Sequence, residues 1–299
     1  EGEAKAHLEE VEEKFNVNIE FNHTWGPDKI MSAIMAGDAS DVFLITRRYW
    51  EPLAVEGAFR SLNDYLTEDY WEEIPAAHRN SKEFYRMAGD YYSFPCGGEP
   101  DPYSDLIAFA VYWNKDLFER EDLPNLYELQ ESKEWNWDTL KSIAEKVVRD
   151  TDGDGKVDQW AFSTPFGMNQ FTLQHALFSN NARETKVVDG RVEFALTEPN
   201  ALETFKFIHD LINEYKAVPP AIDGKGKLGI RTKGATEHFI NGDLAMLHTA
   251  SWQAPQLLEE MKDDFGVVNF PLGPNGDDYV GYAYCTSLLI PVSTDKDPR

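Results

Sequence analysis

Basic residues are scarce in this chain. It has 28 Lys and Arg against 53 Asp and Glu, a formal net charge of −25. A field of that sign repels polyanions, which excludes nucleic acid and anionic membrane surfaces as partners. Cysteine is nearly absent, with Cys96 and Cys285 the only two in 299 residues. Two thiols do not make a disulfide scaffold; they either pair or serve as small buried apolar side chains. No apolar run approaches the roughly 20 residues that cross a bilayer. No signal peptide or lipobox is present, and EGEAKAHLEEVEEKF at the start already reads as helix, so the natural chain is expected to begin earlier. Catalytic signatures are missing as well: there is no Gly-x-Ser-x-Gly, no His-Glu-x-x-His and no Walker loop. The seven histidines, at 7, 23, 78, 175, 209, 238 and 248, have no metal-ligand spacing. His248 reads as a hydrogen-bonded structural residue, with a place facing a ligand cleft beside Trp252 as the alternative. Internal repeats and low-complexity tracts are absent.

What is present is a globular composition, 42% hydrophobic with eight Trp, thirteen Tyr and eighteen Phe, long enough for two domains. Residues 3–15 place Ala4, Leu8, Val11 and Phe15 on one helical stripe. NVNIEF (16–21) alternates like a strand, PDKIMSAIMAG reads as a helix begun by Pro27 and ended by Gly37, and DVFLIT (41–46) is an apolar run of strand length. Together they predict a βαβ unit with parallel strands buried on both faces. Strands are expected in YYSFP, LIAFAVYW, FGVVNFPLGP and YCTSLLIPV, and helices over 137–150, 201–215 and the start of 235–252, broken at Asn241-Gly242. Mixed α/β order throughout predicts an open, doubly wound architecture.

Open α/β sheets bind ligands beyond the carboxyl ends of their strands. That rule selects His23, Thr24 and Trp25 after strand 16–21, and Arg47, Arg48, Tyr49 and Trp50 after strand 42–46. Indoles cover the C–H faces of sugars, and Arg donates paired hydrogen bonds to hydroxyls or carboxylates. Trp25, Arg47 and Arg48 are therefore candidates for a ligand-binding rim, whereas Trp50 could equally pack beneath the next helix. Phe166 and Asn169, in TPFGMNQF after a further strand, are secondary candidates.

VVRDTDGDGKVDQWAF (147–162) carries half of a calcium loop. Asp150, Asp152, Asp154 and Asp158 alternate with small or polar residues, Gly155 sits sixth, and Lys156 sits seventh, where a backbone carbonyl serves. Ala161 occupies the twelfth position, where an EF-hand needs Glu, and the following QWAFSTP reads as a strand. The expectation is a one-helix structural Ca²⁺ loop, with Gln159 supplying the oxygen that Ala161 lacks. The competing reading is a solvated acidic turn, since Asp-Gly pairs favour turns.

Six segments in order resemble the extracellular solute-binding proteins (family 1) of carbohydrate ABC transporters. DKIMSAIMAGDASDVFLI is similar to a helix ending in AAGD-x-PD before a strand, with Ser40 in place of Pro. WEPLAVEGAFRSLNDYL, FAVYWNKDLFEREDLP, EWNWDTLKSIAEKV, NGDLAMLHTASW and FGVVNFPLGPNG match later family patterns, so the resemblance spans about residues 15–292. The family's signal peptide, first strand and last helices have no counterpart here. One-helix calcium loops resembling this one occur in some members.

The resemblance implies a two-lobed periplasmic-binding-protein-like clamp. The first lobe would be 1–98 with 275–299, and the second 99–274, including loop 150–161. The chain would cross at PCGGEPDPY and return at FPLGPNG. The implied function is non-catalytic capture of a mono- or oligosaccharide and its delivery to the membrane permease of an ABC importer. The protein would be a monomer outside the cytoplasmic membrane, periplasmic or lipid-anchored at the cell surface. By position, Trp113 and Trp252 would be stacking residues. The alternatives are a secreted glycan-active enzyme, for which Glu99 and Asp101 offer a carboxylate pair, and a calcium-dependent adhesion or scaffold module.

Overall fold

The computed structural model describes residues 2–23, 26–74, 79, 82–95, 109–219, 234–282 and 286–296. The chain divides into two compact units, Glu1–Ser104 with Cys285–Arg299, and Asp105–Tyr284. The expected first crossing, 96–103, lies outside the described residues. The first unit resumes at Cys285 rather than at 275. The turn at Gly273–Gly276 belongs to the second unit, where the Gly273 amide donates to the Ser179 carbonyl at 3.0 Å. No helix among the described residues is long and apolar enough to cross a membrane.

In the first unit, β1 (Phe43–Thr46), β11 (Thr286–Leu289) and β4 (Ser93–Pro95) form a sheet in the order β1-β11-β4. Both pairings are antiparallel. β2 (Arg86–Met87) and β3 (Asp90–Tyr91) make a small hairpin. Helix Pro27–Ala36 starts on its proline and buries Ile30 and Ile34, four residues apart and so on one face. They pack with Phe43, Trp50, Leu53 and Phe59.

The expected βαβ unit over 16–46 is not formed. Residues 17–23 make no strand, and β1 pairs with β11 instead. The alternation in NVNIEF finds no sheet surface to bury it. Phe21 is 75% exposed, and the Ile19 amide donates to the Glu12 carboxylate at 2.6 Å rather than to a neighbouring strand. Nor is β1 buried on both faces, since Leu44 points outward.

The second unit is built on β10 (Phe265–Val268), β5 (Phe109–Asn114), β9 (Leu244–Ala250) and β6 (Trp160–Ser163), in the order β10-β5-β9-β6. β9 and β6 are parallel, and β5 runs against both β10 and β9. All seven residues of β9 are buried, as a central strand covered on both faces requires. Helix Trp137–Val147 begins at Asn136, whose side chain accepts the Thr139 amide. Its apolar stripe of Trp137, Leu140, Ala144 and Val147 faces the core. Trp137 stacks flat on Phe207 of helix Pro199–Asn213, with centroids 4.0 Å apart. β7 (Thr185–Val188) and β8 (Arg191–Phe194) form an exposed hairpin.

Gly276 is a steric requirement of this unit, because a β-carbon there would lie 2.2 Å from the Ser179 carbonyl oxygen. Gly276→Ala is expected to cost about 1–3 kcal/mol of stability in urea unfolding; an unchanged midpoint would show that the turn can move aside.

Candidate functional site

β10, β9 and β6 run in one direction, so their carboxyl ends share an edge, and β5 begins at that same edge with Phe109. Phe109 is 1% exposed. Around it lie Phe171 at 4.6 Å, Tyr282 at 5.3 Å, and Phe166, His248 and Trp252 each at 5.6 Å between centroids. Phe166, Trp252 and Tyr282 meet it edge to face, the arrangement that the ring quadrupole favours. Phe166 and Trp252 also meet each other edge to face at 6.0 Å.

Local sequence explains the placement. Trp252 sits in the turn Ser251–Gln253, between the end of β9 and helix Ala254–Glu260, which has Pro255 in its first turn. Phe166 follows β6, and its amide donates to the Thr164 hydroxyl at 3.3 Å. A π-helical turn, Met168–Thr172, comes next; such turns recur at functional sites. The outcome is an aromatic face with Trp252 41% exposed and Phe109 and Phe171 buried behind it.

Under this face runs a chain of buried hydrogen bonds. His175 Nε2 lies 2.8 Å from the Val280 carbonyl oxygen, so it carries the proton and donates. His175 Nδ1 is then an acceptor, and His248 Nε2, 3.1 Å away, donates to it. His248 Nδ1 in turn accepts from the Thr172 hydroxyl at 2.9 Å. This order requires both imidazoles to be neutral. Burial pushes the His175 pKa down to about 4 and that of His248 well below its ordinary value, and His175 lowers the latter further. The structural role expected for His248 is borne out. Its partner, and the place of Phe109 and Tyr282 in the face, are not legible in local sequence, because these contacts join positions far apart in the chain.

The other candidate residues fall elsewhere. Trp113 is a core residue, 4% exposed. It packs edge to face on Phe118 and Tyr127 at 4.9 and 5.5 Å, over Gly266, where a β-carbon would come within 2.3 Å of the indole nitrogen. Its expected stacking role is therefore corrected, since no face of the ring is left for a ligand. Trp50 is fully buried beneath its helix. Arg47 and Arg48 open helix Arg47–Val55 directly after β1, at the carboxyl end that the strand rule selected. The Arg47 guanidinium donates to Glu51 at 2.7 Å, and that of Arg48 donates to the Tyr49 hydroxyl and lies over its ring. Trp25 lies outside the described residues. Asn169 lies on the π-helical turn, and its side chain is outside the described ones.

The acidic loop is closed by an antiparallel bridge between Arg149 and Gln159. Asp150, Asp152 and Asp158 each bring an oxygen within 4.8 Å of the others. The Asp150 carboxylate accepts the Gly153 and Gly155 amides at 2.6 and 2.7 Å, which lowers its pKa. Two expected ligands are corrected. Asp154 turns to the Lys156 ammonium at 3.0 Å and is not among the three converging carboxylates. The Gln159 side chain is buried and donates to the Val147 carbonyl at 3.0 Å, away from the loop.

Comparison with known proteins places this geometry in context. The profile of the bacterial extracellular solute-binding proteins matches residues 3–293. A binding protein of Brucella abortus (strain 2308) is 24% identical over 279 residues, covering 90% of this chain and 61% of that protein. The chain thus spans less than two thirds of that curated relative's length. Among solved structures, the maltose/maltodextrin-binding domain MalE from Bdellovibrio bacteriovorus, bound to maltotriose, aligns with a TM-score of 0.68 at 19% identity, covering 98% of this chain and 69% of that one. UgpB from Mycobacterium tuberculosis, in complex with glycerophosphocholine, aligns with a TM-score of 0.69 at 15% identity, covering 98% and 69%. These likenesses show the expected fold class, mixed α/β of the two-lobed binding-protein type.

The neutral histidine pair makes stability pH-dependent. The unfolded chain takes up protons near the ordinary 6.5, whereas folded His175 resists until about 4. Its contribution is whole above pH 6.5 and is lost as the pH falls toward 4. In urea unfolding at pH 7 and pH 4, the parent protein is expected to lose roughly 3 kcal/mol more than His175→Gln. Equal losses would mean that the imidazole is not held neutral.

Proposed function

This chain belongs to the bacterial extracellular solute-binding protein family, and from that premise we propose that it captures a saccharide, an oligosaccharide in preference to a single sugar, for import by an ABC permease. The observation that carries the reading is the half-exposed Trp252, set edge-on to Phe109 and beside Phe166 at the carboxyl edge of the sheet. An indole presented in this way covers the C–H face of a pyranose. The maltotriose bound by the Bdellovibrio protein supports the substrate class. Binding is non-catalytic, in keeping with a family of binding proteins. In this reading the protein works outside the cytoplasmic membrane as a monomer, either periplasmic or lipid-anchored at the cell surface.

The test is a thermal-shift screen against neutral and uronic oligosaccharides. A solute at about a hundred times its Kd stabilises the fold by roughly 2.7 kcal/mol, a rise of several degrees. Trp252→Ala is expected to abolish the rise with an unchanged far-UV spectrum. Trp113→Phe is expected to lower the starting Tm yet keep the rise. Full affinity in Trp252→Ala would remove the assignment.

We also assign a structural Ca²⁺ ion to Asp150, Asp152 and Asp158. Three carboxylates held this close repel one another unless a cation is shared. Millimolar CaCl₂ should raise Tm by several degrees over EDTA in the parent protein and not in Asp158→Asn. Equal Tm values in calcium and EDTA would leave the acidic turn as the correct reading.

A further inference from the structure

We propose that Thr172, His248 and His175 are positioning residues of the solute site: their hydrogen-bond chain fixes the spacing of the rings on the aromatic face and loosens it when the imidazoles take up a proton. This rests on the reading of that face as the solute site. Each segment that the chain pins also carries a ring of the face. Thr172 ends the π-helical turn that contains Phe171 and follows Phe166. His248 lies in β9, four residues before Trp252. Val280, which accepts from His175, lies two residues before Tyr282. The Tyr282 hydroxyl donates to Gln174, the residue before His175. Thr172 and His248 are fully buried and His175 is 1% exposed, so none of them offers a surface to a solute.

The chain has two hydrogen-bonded states. With both rings neutral, it runs from the Thr172 hydroxyl through His248 and His175 to the Val280 carbonyl. One added proton on His175 Nδ1 turns that nitrogen into a donor. His248 must then accept on Nε2 and carry its own proton on Nδ1, so the bond to Thr172 reverses. A second proton would set two N–H groups head to head. The rings packed on the pair are Phe109, Phe162, Phe270 and Tyr282. Of these groups only the Tyr282 phenol titrates, and no carboxylate or ammonium among the described residues has a contact with either imidazole that would compensate a buried charge. Neutral partners of this kind leave a protonated state costly, so the change in the chain is confined to acid.

The test uses the full chain labelled with 5-fluorotryptophan, the Trp252 signal being identified by its loss in Trp252→Phe. Fluorine NMR is followed from pH 7.5 to 4 beside imidazole nitrogen spectra, and maltotriose affinity is measured by calorimetry. The Trp252 signal should move with the His175 titration in the parent protein, stay still in His175→Gln, and be displaced at neutral pH in Thr172→Val. Thr172→Val should also bind maltotriose about three- to tenfold more weakly, the equivalent of one hydrogen bond. A Trp252 signal unmoved while the imidazole titrates would overturn the proposal, as would its parental position in Thr172→Val. If maltotriose does not bind the parent protein, the saccharide reading suffers, and the fluorine signal decides the positioning claim by itself.

Discussion

Phe109 begins the one strand of the second unit's sheet that runs against its neighbours, so its ring lies where the other three strands end. A buried ring there must be covered. The covering rings come from segments far apart in the sequence: Phe166 and Phe171 after β6, Trp252 after β9, and Tyr282 near the end of the unit. Edge-to-face packing fixes the angles as well as the distances, and Trp252 stays 41% exposed at this edge of the sheet. The candidate site follows from covering one phenylalanine.

The support beneath is polar yet uncharged. In a chain with a net charge of −25, the residues that make the face and hold it are phenylalanines, an indole, a phenol, a hydroxyl and two neutral imidazoles. Buried polar groups tolerate a low dielectric when each donor has an acceptor, and the Thr172–His248–His175–Val280 chain meets that condition in full at neutral pH. The acidic residues that dominate the composition act elsewhere, most densely in the loop after helix Trp137–Val147, where three carboxylates converge on the far side of β6 from Phe166 in sequence.

Some of this could be read from residues alone. Trp252 has its stacking place by the family resemblance, and the turn-like TASWQAP around it suits a large ring that covers a surface. Helix Trp137–Val147 is legible in its apolar stripe. Trp113 shows where such reading fails. An aromatic residue near a strand end fits a stacking role and a core role equally well, and the deciding fact is the residue across the sheet. Gly266 pairs with Trp113 and leaves room for the indole to lie flat in the interior. Register is a long-range property, absent from local pattern. The same holds for NVNIEF, whose alternation is strand-like but has no partner to pair with among the described residues, and for His175, which is ordinary until folding brings it beside His248.

The central claim is that the solute meets the Trp252 side of the aromatic face and that the buried indoles serve only the core. Indole N–H spectra of the protein, which has eight tryptophans, recorded during a titration with an oligosaccharide that raises its Tm, test this most directly. The account predicts a large displacement of the Trp252 signal, with Trp113 and Trp137 unmoved. A response at Trp113 with Trp252 silent would contradict it.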